Sequence, residues 1–204
     1  MSATGQSEAR PFAEVSRSLL RESILRAVDR LVAQDSWGAV TMAQVAKGAG
    51  VSRQTVYNEI GNRSDLARAY GLWAAQELLD DVERSVAAHA DDLGEALVST
   101  FTTLLALGRD HPLIRALGDD DGSAELAAAL VSGPRALLVV VASDRLTDII
   151  GRTWPELPAG SVAAASEVLV RLACSHLLLP SATPEEASAQ VAEVLDPFLV
   201  SLTR

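Results

Sequence analysis

Cysteine is nearly absent. Cys174 stands alone, which excludes an intramolecular disulfide framework and any cysteine-rich zinc or iron–sulfur centre, and suits a reducing compartment such as the cytosol. Aromatic residues are scarce at 4%, although hydrophobic residues reach 49%. A core built mainly from Ala, Leu and Val suits closely packed helices better than a strand-rich sandwich, so the expected fold class is all-α. No charge-free apolar run is long enough for a membrane span, and the N-terminus lacks a basic region followed by an apolar stretch; neither span nor signal peptide is expected. Enzyme signatures are missing as well: there is no G-x-S-x-G, H-E-x-x-H, G-x-x-x-x-G-K-[ST] or G-x-G-x-x-G. A small all-α enzyme is therefore a remote alternative. His89, His111 and His176 lie far apart, and the run Asp119 to Gly122 lacks the periodicity of a calcium loop, so neither metal nor cofactor is expected.

The formal net charge of -10 argues at first against a polyanionic partner. The charge is unevenly divided, however. Residues 1–70 carry nine basic side chains, eight Arg and Lys47, against seven acidic ones, whereas residues 71–204 carry eight against twenty. A slightly basic N-terminal module is able to bind DNA while an acidic body faces away from it.

Hydrophobic periodicity gives about nine helices. Met1 to Arg10 is small, polar and unpatterned, and residues 1–15 are expected to form a flexible leader. From Ser16 an amphipathic helix places Leu20, Ile24, Ala27, Val28, Leu31 and Val32 on one side and ends near Asp35. Thr41 is a good N-cap for a two-turn helix that Gly48 or Gly50 stops, and Ser52 caps the next helix. Gly61-Asn62 breaks that helix, and Ser64-Asp65 opens a long one to about His89. Further helices are expected at Leu93 to Arg109, Pro112 to Leu117, Ala124 to Val131, Pro134 to Arg152, Ser161 to Leu179 and Pro184 to about Thr203, with a loop at Gly118 to Gly122. Leu137 to Val141 also reads as a buried strand, but its helical period continues to Ile149.

Two short helices joined by a Gly-containing turn meet the physical requirements of a helix-turn-helix. The second would enter the major groove. Its outward residues are Arg53, suited to guanine O6 and N7; Gln54, suited to adenine N6 and N7; Thr55, suited to a thymine methyl or a phosphate; and Tyr57 and Asn58. Thr41 and its helix start, Lys47 and Arg63 are placed to hold flanking phosphates, which set register rather than sequence, and Ser52 at the start of the second helix is counted with the DNA-binding residues. The domain boundaries that follow are 16–64 for the DNA-binding domain and 65–204 for a larger helical domain.

The stretch from Arg21 to Tyr70 resembles the N-terminal domain of TetR-type transcriptional regulators. The motifs that carry the resemblance are Thr41-Met42, Val45-Ala46, Gly48-Ala49-Gly50-Val51-Ser52, Thr55-Val56-Tyr57 and Arg63-Ser64-Asp65-Leu66. The family usually has an aromatic where Ile60 stands, a basic or imidazole group where Glu59 stands, and Lys where Arg63 stands. Glu59 is expected to accept from cytosine N4 or, more favourably, to point away and cap neighbouring amides. The resemblance implies a homodimeric regulator, a repressor released from a palindromic double-stranded operator by a small ligand in the larger domain, with the fourth helix as the lever. An activator or protein-binding regulator of the same fold, without an inducer, is the alternative.

Polar or aromatic residues amid apolar helices, namely Phe101, Arg115, Trp154, Arg171, Cys174 and His176, are the candidate ligand-binding residues. Cys174 and His176 read equally as core side chains. The Leu-, Val- and Ala-rich composition favours an apolar ligand of acyl or alkyl type. The string SRQTVYNEIG is also similar to regulators near lipid and alkane metabolism in high-GC bacteria, and sixteen Arg against one Lys suits such a genome. For dimerisation, the stripes Ala165, Leu169, Leu172, Ala173 and His176, and Ala187, Val191, Val194, Leu195, Phe198 and Leu202, are expected to form a four-helix interface.

Overall fold

The computed structural model describes residues 12–119, 123–130 and 136–202. Among them are ten α-helices, one 3-10 turn and no strand, in agreement with the all-α expectation. They are α1 (Phe12–Gln34), the 3-10 turn Trp37–Ala39, α2 (Met42–Ala49), α3 (Arg53–Glu59), α4 (Arg63–Ala88), α5 (Leu93–Arg109), α6 (Pro112–Gly118), α7 (Ser123–Leu130), α8 (Leu137–Thr153), α9 (Ala159–Leu178) and α10 (Pro184–Leu202). The segment Leu137 to Val141 is helical, as its longer period requires. The first helix begins at Phe12 rather than Ser16, with Glu14 in its first turn, where a negative charge suits the helix dipole. Most of the expected leader, most of the Gly118 to Gly122 loop, Val131, Pro134 and Thr203 lie outside the described residues.

Helix boundaries follow local chemistry. Thr41 closes a capping box with Gln44: its backbone N–H donates to Gln44 Oε1 at 2.9 Å, and Gln44 N donates to Thr41 Oγ1 at 3.3 Å. The helix ends at Gly50, whose φ of 70° is the left-handed conformation that glycine adopts without steric penalty, and Val51 N donates back to Ala46 O at 3.0 Å. The fourth helix starts at Arg63, slightly earlier than expected, because Asn62 rather than Ser64 is its cap and forms a second box with Asp65.

Three apolar clusters hold the helices together. The first joins Ile24 and Val28 of α1, Trp37, Val40, Val45, Val56, and Leu66 and Tyr70 of α4 to Leu113 of α6, Leu126 and Leu130 of α7, and Leu138 of α8. A three-helix module buries little surface by itself. Here its core continues into the larger domain, so the two parts pack as one. The second cluster lies among α4, α8 and α9, with Leu79, Val82, Leu146, Ile149, Trp154 and Val170. The third sets Phe101 and Leu105 of α5 against Ala173 of α9 and Ala187 and Val191 of α10.

Candidate nucleic-acid interface and internal cavity

The recognition helix α3 is anchored by one fully buried side chain, Val56, while Ser52, Arg53, Gln54, Tyr57 and Asn58 are exposed. Ser52 Oγ accepts from Thr55 N at 3.0 Å and lies 2.8 Å from Thr55 Oγ1, so these two residues build the cap and leave the outer face to their neighbours. Gln54 Nε2 donates to Asn58 Oδ1 at 2.8 Å. This pairing aligns two amides along α3 and leaves the Gln54 carbonyl and the Asn58 amide nitrogen with capacity for base edges or phosphates. Tyr57 is 48% exposed. Thr41, the cap of α2, and Lys47 within it are exposed; the capping box takes Gln44 N, and Met42 N and Ala43 N are left as the donors of the helix start that an anion would meet.

Two residues depart from expectation. Arg63 is turned inward: Nε donates to Glu125 Oε2 at 2.7 Å, Nη2 donates to Trp37 O at 2.8 Å, Nη1 donates to Val40 O, and the guanidinium lies 5.1 Å from the Trp37 ring centroid. Its planar fork serves the turn between α1 and α2 rather than a phosphate. Glu59 points away from the groove face, but to a cation rather than to amides. Its Oε2 accepts from Arg17 Nε at 2.8 Å, and its backbone carbonyl accepts from Arg21 Nη1 at 2.9 Å. No local signal in the sequence links α1 to the end of α3, so this pairing was not legible there.

The larger domain contains a partly open cavity of about 150 Å³, lined by residues of α4, α5, α6, α8 and α9 and of the α8–α9 connection. Of the expected ligand-binding residues, Phe101, Trp154 and Cys174 line it. The other three lie elsewhere. Arg115 is exposed and donates from Nη2 to Ala33 O at 3.1 Å; Arg171 is exposed and pairs with Glu167 at 2.7 Å; and His176 stands edge-on to Phe101 at 6.0 Å beside a separate small hollow. Both guanidiniums stay in water with partners, because an apolar wall offers no compensation for a desolvated charge. The missed lining, including Leu78, Val82, Leu97, Leu104, Leu146 and Leu169, consists of apolar helix positions that the sequence does not distinguish from solid core.

Among the described residues, no charged side chain lines the cavity. Its polar groups are few and engaged: Thr100 Oγ1 donates to Ser85 Oγ at 3.2 Å, and Trp154 Nε1 donates to Ala90 O at 2.9 Å. Burial pushes the Cys174 thiol up from its ordinary value, which keeps it protonated and apolar in character.

Comparison with known proteins agrees with this geometry. Residues 24–70 match the family described as bacterial regulatory proteins, tetR family, and residues 92–197 match the bacterial tetracyclin repressor C-terminal domain. The chain belongs to the TetR family of transcriptional regulators. It is 34% identical to the HTH-type transcriptional regulator AlkX of Mycobacterium tuberculosis over 92% of this chain and 89% of that one. The crystal structure of the TetR family repressor AlkX from Dietzia sp. strain DQ12-45-1b, implicated in biodegradation of n-alkanes, superposes with a TM-score of 0.78 at 30% identity, covering 90% of this chain and 97% of that one. A TetR-family regulator from Streptomyces coelicolor shares the fold at TM-score 0.59 and 18% identity, covering 90% of this chain and 82% of that one. The chain is thus a helix-turn-helix DNA-binding transcriptional regulator, and its relatives are regulators rather than enzymes. Regulators of this family bind operator DNA and typically act as dimers.

Proposed function

We propose that this regulator is a homodimeric repressor released from a palindromic operator when a hydrocarbon-like ligand fills the cavity. The observation that carries the ligand class is a wall to which the described residues bring no charged group, and in which Thr100 and Trp154 already have hydrogen-bond partners. An apolar cavity of this kind stays dry and takes up hydrocarbon, whereas a buried carboxylate would stand there without a cation. The likeness to a repressor implicated in n-alkane biodegradation supports the same class.

In this reading Arg53 and Gln54 read base edges, Thr41, Lys47, Tyr57 and Asn58 set the register on phosphates, and Ser52 and Thr55 hold the cap that presents them. Two copies of α3 would occupy successive major grooves about 34–36 Å apart. The dimer face is assigned to exposed apolar residues of α9, its C-cap and α10: Val168, Leu179 and Val194 are 46%, 76% and 75% exposed. Val194 belongs to one of the stripes expected from sequence, whereas Ala173, Ala187 and Val191 of those stripes pack internally on α5. By length and composition α9 could cross a membrane, but it carries the exposed Glu167–Arg171 ion pair and packs along α8. A protein contact accounts for its apolar face. A regulator of DNA would work in the cytoplasm, where the operator is.

The test is the melting temperature of the purified protein with n-decane, compared with sodium decanoate. Stabilisation by n-decane in the native protein that is lost in Leu146→Glu, which sets a carboxylate in the wall, is the expected result. Stabilisation by decanoate alone would refute the uncharged class.

A further inference from the structure

Helix α7 ties the DNA-binding module to the larger domain. Leu126 and Leu130 are fully buried, in the same cluster as Trp37, Val40 and Tyr70. A side chain at Gly71 of α4 would overlap Leu130, so α7 sits directly on the first half of the fourth helix. From this seat Glu125 reaches across the boundary. Its Oε2 accepts from Trp37 Nε1 at 3.0 Å and from Arg63 Nε at 2.7 Å. Arg63 in turn donates to the backbone carbonyls of Trp37 and Val40 and covers the Trp37 ring. One carboxylate therefore holds both ends of the turn that leads into Thr41 and α2. The charges are about one-third exposed, at 33% and 36%, so the pair alone would be screened; its hold comes from several hydrogen bonds sharing one guanidinium and one indole.

The same cluster reaches the cavity. Leu113 and Leu138 both line the cavity wall and pack in the core that contains Trp37. We infer that Glu125 is a positioning residue: through Arg63 and Trp37 it sets the placement of the helix-turn-helix, and it relays the filling of the cavity to that placement. This inference rests on the hydrocarbon reading of the cavity. Two sites are coupled when both bias one element with two arrangements, and the α7 contact to the Trp37 turn is that element.

Three tryptophans make the relay observable. Trp154 lines the cavity, Trp37 stands at the Glu125 contact, and Trp73 on α4 is separated from Trp37 by the Tyr70 ring. The experiment is fluorine NMR of the full-length protein labelled with fluorotryptophan, assigned by single Trp-to-Phe variants, with n-decane added. In the native sequence the Trp154 and Trp37 resonances should both move, and n-decane should lower operator affinity by about 5- to 150-fold. In Glu125→Gln the Trp154 resonance should still move, the Trp37 response should vanish, and the loss of affinity should shrink to less than about 2-fold. Arg63→Lys, which keeps the charge but loses the fork, should behave alike and serves if Glu125→Gln unfolds. A Trp37 response and affinity loss that persist in a folded variant would overturn the relay. A Trp154 resonance that never moves would overturn the hydrocarbon reading and the relay with it.

Discussion

Arg17 and Glu59 stand 2.8 Å apart across the start of α1 and the last residue of the recognition helix. The guanidinium is 70% exposed, so the pair contributes little to stability, below about 1 kcal/mol. In the proposed DNA-binding mode this pairing would let Glu59 be tolerated near DNA, because the carboxylate is neutralised by Arg17. Glu59→Ala should change the melting temperature only slightly and leave base preference unaltered at every operator position. A changed preference at one base pair, measured on a set of operator variants, would return Glu59 to the reading surface.

Arg53 and Tyr57 are both exposed on α3 but are given different tasks. Arg53→Ala should relax preference at one position, costing about 1–3 kcal/mol on the best operator and less on its variants at that base. Tyr57→Phe should weaken all sequences alike, as loss of a phosphate contact does. Competition binding on single-base variants separates the two patterns.

Gly50 and Gly71 are required for different reasons. A Cβ at Gly50 would meet nothing within 4 Å, but φ is 70° there, so Gly50→Ala should cost about 1–2 kcal/mol through backbone strain alone. At Gly71 the backbone is ordinary and Leu130 fills the space, so Gly71→Ala should cost about 1–3 kcal/mol through overpacking. The loss caused by Gly71→Ala should shrink when it is made on a Leu130→Ala background, while that caused by Gly50→Ala should be the same on either background. Chemical denaturation of the two glycine variants, Leu130→Ala and the two double variants measures both effects.

His111 makes stability depend on pH. Its Nδ1 accepts from Leu113 N at 3.2 Å as the cap of α6, which requires the neutral ring, and burial lowers its pKa from the ordinary 6.5. The unfolded chain therefore binds the proton more readily than the folded one. The His111 contribution is fully present above about pH 6.5 and declines as pH falls through that value toward the lower folded pKa. His111→Asn retains a capping acceptor without a titrating ring, so its melting temperature should fall less between neutral and mildly acidic pH than that of the native protein.

The helix-turn-helix was legible because its determinants are local. Thr41, Gly50 and Ser52 cap or stop helices a few residues away, and Val45 and Val56 show their burial through helical spacing. The true dependence of Arg63 was not legible, since its partners Trp37, Val40 and Glu125 are distant in sequence and meet only when α7 packs on α4. The cavity was legible in chemical character and only partly in its residues. Polar side chains drew attention to Arg115, Arg171 and His176, which lie outside it, because helical spacing marks a residue as inward without saying whether it meets another side chain or empty space.

Fluorescence anisotropy on DNA from immediately upstream of the regulator's own gene, with an unrelated duplex as control, tests the central claim most directly. Binding should exceed the control, weaken steeply with added salt, and be reversed by n-decane. Equal binding to both duplexes, or an operator complex that n-decane leaves intact although n-decane raises the melting temperature of the free protein, would contradict the account.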